Sequence, residues 1–474
     1  MSNASESLLL DSSGKIYPRS ISGRYSRIRW LIVALTQLVF YGLPWLTWNA
    51  RPAVLFDLTA RQFYIFGVVL YPQDFIYLTF LLIISALSLF LFTTVAGRLW
   101  CGYACPQTVY TEIFMWIEHR VEGDRGSRIR LDAAPLGRKK LITKSVKHGL
   151  WLLFSFWTGL TFVGYFTPIG ELLGGLLSAS LGPWQLFWIL FYGFATYGNA
   201  GFMREQVCKY MCPYARFQGV MFDRDTLVIS YDGARGEPRA PLRPAKKQIK
   251  IKDANSEPDL KQAGDCIDCG LCVKVCPTGI DIRQGQQYEC IGCALCIDAC
   301  NQVMDKVNRP TGLIRYDTLN AMENQWDNSQ RLKKIFRPRV LIYTAILSAL
   351  TLALFTSLLS RTPLKVDVIR DRSSLSKEVK NGFIENVYQL QIINAAEHDR
   401  TFTITVDGLQ KIFVSGQDQV TLDGASNRLF PLRVHASPDS GKSGSNRIEF
   451  TITAEDDNAV SVTEKSTFYL PEPR

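Results

Sequence analysis

The chain reads as a multi-domain membrane protein: a five-helix α-helical transmembrane bundle, a cytoplasmic α+β insert and a C-terminal all-β immunoglobulin-like sandwich. Three observations lead there. Five long apolar stretches carry no charge, eight of the twelve cysteines crowd into one 35-residue segment, and a cysteine-free tail alternates apolar and polar residues.

The apolar stretches are Trp30–Trp48, Phe75–Gly97, Gly149–Gly170, Leu181–Met203 and Val340–Leu359. Each is close to the ~20 residues a helix needs to cross the hydrocarbon core. Most are rimmed with Trp or Tyr, as membrane interfaces favour. Phe63–Tyr71 is apolar but too short to span, so it is expected to be interfacial or re-entrant. The first 29 residues are polar, and no small-residue cleavage site follows the first apolar stretch. That stretch is therefore expected to stay as a helix in the lipid bilayer rather than be removed as a signal peptide.

Loop charge gives the orientation. Lys15, Arg19, Arg24, Arg27 and Arg29 precede the first stretch, the 106–148 loop holds nine Lys/Arg, and Arg331, Lys333, Lys334, Arg337 and Arg339 precede the last. The opposite loops, 49–74 and 171–183, hold only Arg51 and Arg61. The N-terminus and the cysteine-rich insert are thus expected in the cytoplasm and the tail in the periplasm, across a bacterial inner membrane. The net charge of +10 sits beside the apolar stretches, because residues 361–474 alone carry 14 Lys/Arg against 16 Asp/Glu. The insertion rule accounts for that charge, so nucleic acid is not an expected partner.

The expected domain order follows: a tail at 1–29, four transmembrane helices within 30–212, a linker at 213–262, the cysteine-rich domain at 263–308, a connector at 309–338, a fifth helix at 339–360 and the β domain at 361–474. Four prolines between Pro238 and Pro258 and several lysines mark the linker. Strands are expected at Val387–Asn394, Arg400–Asp407, Arg428–Ala436, Arg447–Ala454 and Ser461–Leu470, punctuated by Gly, Asn and Asp. About 110 residues with this spacing suggest an immunoglobulin-like sandwich.

The cysteine-rich segment is one pattern written twice. Cys266-x-x-Cys269-x-x-Cys272-x-x-x-Cys276-Pro277 is followed by Cys290-x-x-Cys293-x-x-Cys296-x-x-x-Cys300. This is the bacterial ferredoxin run, in which the fourth cysteine goes to the other cluster. Two [4Fe–4S] clusters are expected, one on Cys266, Cys269, Cys272 and Cys300, the other on Cys290, Cys293, Cys296 and Cys276. Zinc ribbons use paired Cys-x-x-Cys instead, and a disulfide framework belongs to small secreted chains.

The other four cysteines form a second duplicated pattern. Cys101-Gly-Tyr-Ala-Cys105-Pro106 follows the second apolar stretch and Cys208-Lys-Tyr-Met-Cys212-Pro213 the fourth, 107 residues apart at both cysteines. Spacing of i, i+4 puts both thiols of a pair on one helix face. Soft thiolates select Cu(I), zinc or iron–sulfur clusters. His119 and His148 are expected to be solvated or interfacial, and Glu112 and Glu118 to lie on a solvent-facing amphipathic helix. No Gly-rich dinucleotide fingerprint is present, so the expected cytoplasmic electron donor is a separate molecule.

Together, Arg98-Leu-Trp-Cys101-Gly-Tyr-Ala-Cys105-Pro106-Gln107-Thr108, Cys208-Lys-Tyr-Met-Cys212-Pro213-Tyr214-Ala-Arg216, and the two ferredoxin runs from Asp265 to Asp281 and Tyr288 to Cys300 resemble the cytochrome c oxidase accessory protein family, CcoG/FixG/RdxA. The resemblance covers nearly the whole chain. It implies an oxidoreductase that converts Cu(II) to Cu(I) during assembly of cbb3-type cytochrome c oxidase. Cys101, Cys105, Cys208 and Cys212 would be the catalytic, copper-handling residues, and the β domain would dock an oxidase subunit or copper chaperone. Two alternatives keep the same residues. The four cysteines would bind a third iron–sulfur cluster in a quinol-linked electron carrier, or the clusters would be structural parts of an assembly scaffold.

Overall fold

A computed structural model describes residues 15–49, 51–241, 264–371, 376–379, 382–457 and 459–472. The chain divides into two compact units: Met1–Leu46 with Leu78–Thr351, and Thr47–Tyr77 with Leu352–Arg474.

The first unit is helical. Among the described residues, three helices are long and apolar enough to cross a membrane: Arg24–Trp45, Pro72–Ala96 and Pro338–Leu359. Threonines inside such helices return their hydroxyls to the turn before, as Thr93 does to Leu89 and Thr351 to Leu347 (2.8 and 2.7 Å). This gives both hydroxyls a partner in an apolar setting. The third and fourth expected spans are helices with other bounds, Arg138–Val163 and Pro183–Gly198. The first of these begins with basic residues that the apolar stretch excluded, so it is a long helix with a charged foot. The two pack backbone to backbone through Gly193, where a side chain would meet the carbonyl of Ser155 at 3.4 Å.

The stretch expected to be a linker is ordered in its described part. Pro213–Met221 is helical, and Val228–Tyr231 pairs antiparallel with Ile314–Asp317 across the cysteine-rich segment. Isolated from that distant partner, Val228–Tyr231 carries too few residues to read as a strand. Residues 242–263 of that stretch, and 1–14 of the expected tail, lie outside the described residues.

The second unit is a sandwich of two antiparallel sheets. One runs Phe413–Ser415, Ser426–Ala436, Ile384–Asn394, Leu364–Arg370; the other runs Gln419–Leu422, Arg400–Asp407, Gly444–Ala454, Ser461–Leu470. Alternation buries one face of each sheet, with Tyr388, Phe402, Phe450 and Phe468 in the core. The phenol of Tyr388 is satisfied by the Thr467 carbonyl at 2.9 Å. Buried Asn386 ties the sheets together, donating to the Tyr469 carbonyl and accepting from its N–H, both at 3.0 Å.

Phe63–Tyr71 takes part in a small sheet. Val54–Asp57, Gln62–Ile65 and Val68–Leu70 form a three-stranded antiparallel sheet. Val69 and Tyr71 are buried with Ile393 and Ala395 of the sandwich, so the apolar side chains serve a protein core. Asp74, 5% exposed, fastens the segment: its carboxylate takes Arg361 at 2.9 Å and also Lys365. Removing one member of a buried ion group leaves the others uncompensated, at a cost of about 3–5 kcal/mol. Asp74→Ala should therefore loosen the docking of residues 47–77, seen as faster proteolytic cleavage within that segment than in the wild type.

Candidate electron-transfer site

The two ferredoxin runs fold alike. In each, the second residue after the first cysteine and the fourth take the left-handed backbone conformation: Asp268 and Gly270 in one, Gly292 and Ala294 in the other. A short helix follows each, Leu271–Lys274 and Leu295–Lys306. The left-handed conformation is costly at Ala294, where neither glycine's freedom nor a local side-chain hydrogen bond offsets it. The same loop shape is thus imposed by tertiary packing in both runs.

These loops place the eight cysteines around two cavities. Cys266, Cys269, Cys272 and Cys300 line the outer one, with Tyr231, Leu313 and Ile314. Cys276, Cys290, Cys293 and Cys296 line the inner one, with Ile229, Ile280, Ile282 and Ile291; Cys272 also reaches it. The fourth cysteine of each run has therefore crossed to the other run's cavity.

All twelve cysteines are free. Burial pushes the thiols of Cys272 and Cys290 up to about 12, and those of Cys293 and Cys300 up to about 11. Such thiols are neutral unless a bound cation compensates the thiolate. Among the described residues no three His, Cys, Asp or Glu side chains converge closely enough for a single metal ion. Four soft donors spread around an apolar cavity suit a multi-iron cluster better than one ion.

The second duplicated pattern is not a pair of thiols on one continuous helix face. Leu99–Tyr103 is a five-residue helix, and the N–H of Cys105 reaches back to the carbonyl of Trp100 at 3.0 Å. The N–H of Cys212 reaches Val207 in the same way, at 2.8 Å. Each pair thus lies on a wide five-residue turn that opens just before its first cysteine. Cys105 and Cys212 are extended, and Pro106 and Pro213 then start new helices, Pro106–Glu122 and Pro213–Met221. Proline disfavours helix in the residue before it, and this is what breaks the helix at the second cysteine.

The two turns face one another. Burial pushes Cys208 up to about 12, and its neighbours Cys105, Cys101 and Cys212 push in the same direction. Burial also raises Cys101, to about 11, and the amide of Gln218, 3.5 Å from its sulfur, opposes the rise. Burial raises Cys105 too, opposed by the backbone N–H groups of Thr108 and Gln107 at the start of its helix.

This four-thiol site abuts the inner cavity. A Cβ on Gly102 would stand 2.7 Å from the carbonyl oxygen of Gly292 and 2.9 Å from Cα of Cys293. The two backbones touch because neither residue has a side chain. Tyr316 donates to the Gly292 carbonyl at 2.6 Å and fixes the loop. Cys101 and Cys208 pack on the same apolar cluster as Val275, Ile291, Cys293 and Leu295.

Sequence comparison supplies the family. A nitrogen fixation protein, FixG, of Rhizobium meliloti is 36% identical over 94% of this chain and 91% of its own length. The chain belongs to the FixG/RdxA family. Protein RdxB of Cereibacter sphaeroides is 40% identical over 82% of this chain and 81% of its own, and protein RdxA of the same organism 38% identical over 86% and 85%. Three family models match: a 4Fe-4S dicluster domain over residues 203–319, a 4Fe-4S binding domain over 78–123, and the immunoglobulin-like fold at the C-terminus of FixG over 354–471. The chain is thus an iron–sulfur protein of the FixG/RdxA family, with an immunoglobulin-like C-terminal domain. The first two models take in all twelve cysteines, Cys101, Cys105, Cys208 and Cys212 included.

In this FixG/RdxA chain Glu112 and Glu118 are not solvent-facing, and His119 and His148 are half-buried. Glu118 is 1% exposed, bound by Arg128 at 3.1 Å and Arg204 at 3.0 Å. Burial acts to raise its carboxyl, but Arg204, Arg128 and Lys147 outweigh that and hold it below the ordinary carboxylate range. Glu112 pairs with buried Arg29 at 3.0 Å. His148 stacks on Phe202 and shares a hydrogen bond with Tyr197 at 3.0 Å, and Nδ1 of His119 is buried. Amphipathic spacing identified the helix but not which face its tertiary partners would cover. Sequence reasoning also missed Gln218, Gly102, Gly292 and any role for Arg98. The first three act through distant contacts and carry no local signal.

Two outcomes follow. Cys276→Ser should alter the spectroscopic signature of the cluster held with Cys290, Cys293 and Cys296 and spare the other, as judged by EPR of the reduced protein. The iron-free chain should lose stability as pH rises from about 9 toward about 12, because buried neutral thiols must ionise on passing their raised pKa values. Urea midpoints across that range test this. The loss should shrink in the Cys272→Ser, Cys290→Ser double variant, whose hydroxyls do not ionise there.

Proposed function

We propose that this chain is a multi-pass inner-membrane electron carrier that reduces Cu(II) to Cu(I) for assembly of a cbb3-type cytochrome c oxidase. The observation that carries the reading is the backbone contact of Gly102 on Gly292, which seats the four-thiol turns directly against the inner ferredoxin cavity. Cys266, Cys269, Cys272 and Cys300 hold one cluster and Cys276, Cys290, Cys293 and Cys296 the other. Bound clusters supply one-electron chemistry, and each Cu(II) needs one electron. Cys101, Cys105, Cys208 and Cys212 bind the copper and retain it as Cu(I), the ion that soft thiolates favour. Gln218 orients Cys101, and the N–H groups of Gln107 and Thr108 support negative charge on Cys105.

The topology proposed is the one that loop charge gives, with the N-terminus and clusters in the cytoplasm and the β domain in the periplasm. The division of the chain supports it. Residues 47–77 and the C-terminal domain, assigned to one side, share a compact unit. Lys15 and Tyr17 bond Asp132, and Arg19 bonds Lys274, all on segments assigned to the other side. Helices Arg138–Val163 and Pro183–Gly198 form a hairpin, so the sidedness of both units is the same whether or not that hairpin crosses. The β domain is the proposed docking surface for an oxidase subunit or copper chaperone.

A second reading has its own support. The 4Fe-4S binding model covers Cys101 and Cys105, and no three of the membrane-face thiols converge at single-ion distance among the described residues. A third cluster there would pass electrons to a partner instead of reducing copper. One experiment separates the readings. Serine at Cys101 and Cys105, or at Cys208 and Cys212, should abolish Cu(II) reduction by dithionite-reduced protein with iron content unchanged. A fall of about four irons per chain would favour the third cluster. Cu(II) reduction at the wild-type rate would remove these cysteines from the reaction.

A further inference from the structure

Arg98 lies in the turn between the helices Phe75–Ala96 and Leu99–Tyr103, three residues before Cys101. It is 5% exposed. One Nη donates to the carbonyl of Ala215, in the first turn of the helix that follows Cys212, while Nε has no hydrogen-bond partner. Among the described residues no carboxylate pairs with it. The other buried arginines of this region differ: Arg29 holds Glu112, and Arg128 and Arg204 share Glu118. A buried cation without a counter-charge is strongly disfavoured.

Cysteine-bearing segments lie on more than one side of Arg98. It lines a cavity together with Cys290 and Gly292. Its carbonyl oxygen is 3.1 Å from where a Cβ on Gly292 would stand. Its guanidinium bonds the carbonyl of a residue three positions after Cys212, and its own backbone lies three positions before Cys101. Arg98 therefore touches or faces the first turn, the second turn and the inner cluster loop at once.

We propose that Arg98 is the shared counter-ion of the inner ferredoxin site and the four-thiol site, a positioning residue that makes both better electron acceptors than the outer site. This rests on the electron-transfer reading above. Adding an electron to a thiolate-bound centre adds one negative charge, and a fixed buried cation favours that form; charge and burial are among the factors that set such potentials. Among the described residues the outer site lacks an equivalent. Its nearby cations are neutralised locally, Arg283 by Asp281 at 2.8 Å and Arg235 by Asp265 at 2.5 Å. The asymmetry favours an electron at the inner site, next to the turns.

The test is an EPR-monitored redox titration of the full-length, anaerobically purified protein without copper, comparing wild type, Arg98→Gln and Arg98→Lys. The inner signal is the one lost in Cys290→Ser. In Arg98→Gln it should move to more negative potential while the outer signal stays, and Arg98→Lys should restore most of the shift. Loss of the inner cluster in Arg98→Gln with retention in Arg98→Lys would equally support a counter-ion. An unmoved inner signal, equal movement of both signals, or a lysine variant that behaves like the glutamine one would overturn the proposal. Cu(II) reduction by the wild type is measured separately. Its absence would sink the copper reading and leave the assignment of Arg98 standing or falling on the potentials alone.

Discussion

Everything about this site depends on one steric permission: two polypeptide backbones meet where neither carries a side chain. Gly102 sits in the middle of the first cysteine turn, and Gly292 in the middle of the second cluster loop. Their approach leaves no room for even a methyl group on Gly102, whose Cβ would clash with backbone and not with a movable side-chain end. Gly292 also needs a left-handed conformation, at φ +69°, to turn its loop toward the cavity. Two demands fall on that one residue, close approach and positive φ, and only glycine meets both without strain. A bulkier pair would still permit both sets of thiols, but not in contact.

Charge is the second constraint. A region built to hold thiolates beneath apolar walls must neutralise them, and the sequence places basic residues there in excess. Most are absorbed by Glu112, Glu118 and Glu122, which form a buried ion-pair network with Arg29, Arg128, Arg204, Lys144 and Lys147. A buried network of this kind is weak evidence for stability but holds its members in fixed geometry. Arg204 shows this. Its backbone adopts φ +29°, an unfavourable value for a side-chain-bearing residue, while its guanidinium is anchored on Glu118 and on the Gly201 carbonyl. It interrupts the helix just before Cys208 and so helps aim the second turn.

Period and spacing made much of this architecture legible. Two-residue alternation located the long strands of the sandwich to within a few residues at each end, because one face of each is buried and any slip of register would expose it. Cysteine spacing identified the iron–sulfur segment, because ligand geometry leaves few alternatives. The misreadings share a cause. The sheet around Phe63–Tyr71 was not legible because part of its apolar surface is covered by Ile393 and Ala395, more than 300 residues away. Glu112 and Glu118 looked solvent-facing because their partners come from the N-terminal segment and other helices. Local pattern reports that a side chain is polar or apolar; it does not report what the fold brings to meet it. The cysteine turns were misjudged for a different reason. Spacing of i, i+4 suggested one helix face, yet the proline that follows each pair ends the helix at the second cysteine.

The duplication within this chain has a physical consequence. Two ferredoxin runs share one loop shape, and two cysteine turns share one wide turn and one proline-started helix. If the halves were equivalent in surroundings as well as shape, an electron would have no preferred direction. The surroundings differ. One cavity is flanked by arginines already paired with Asp265 and Asp281, and the loop of the other by Arg98, which has no carboxylate partner among the described residues. The backbone contact through Gly102 occurs on the second side. On the proposed reading, repetition supplies the redox sites and the local break in symmetry supplies the direction.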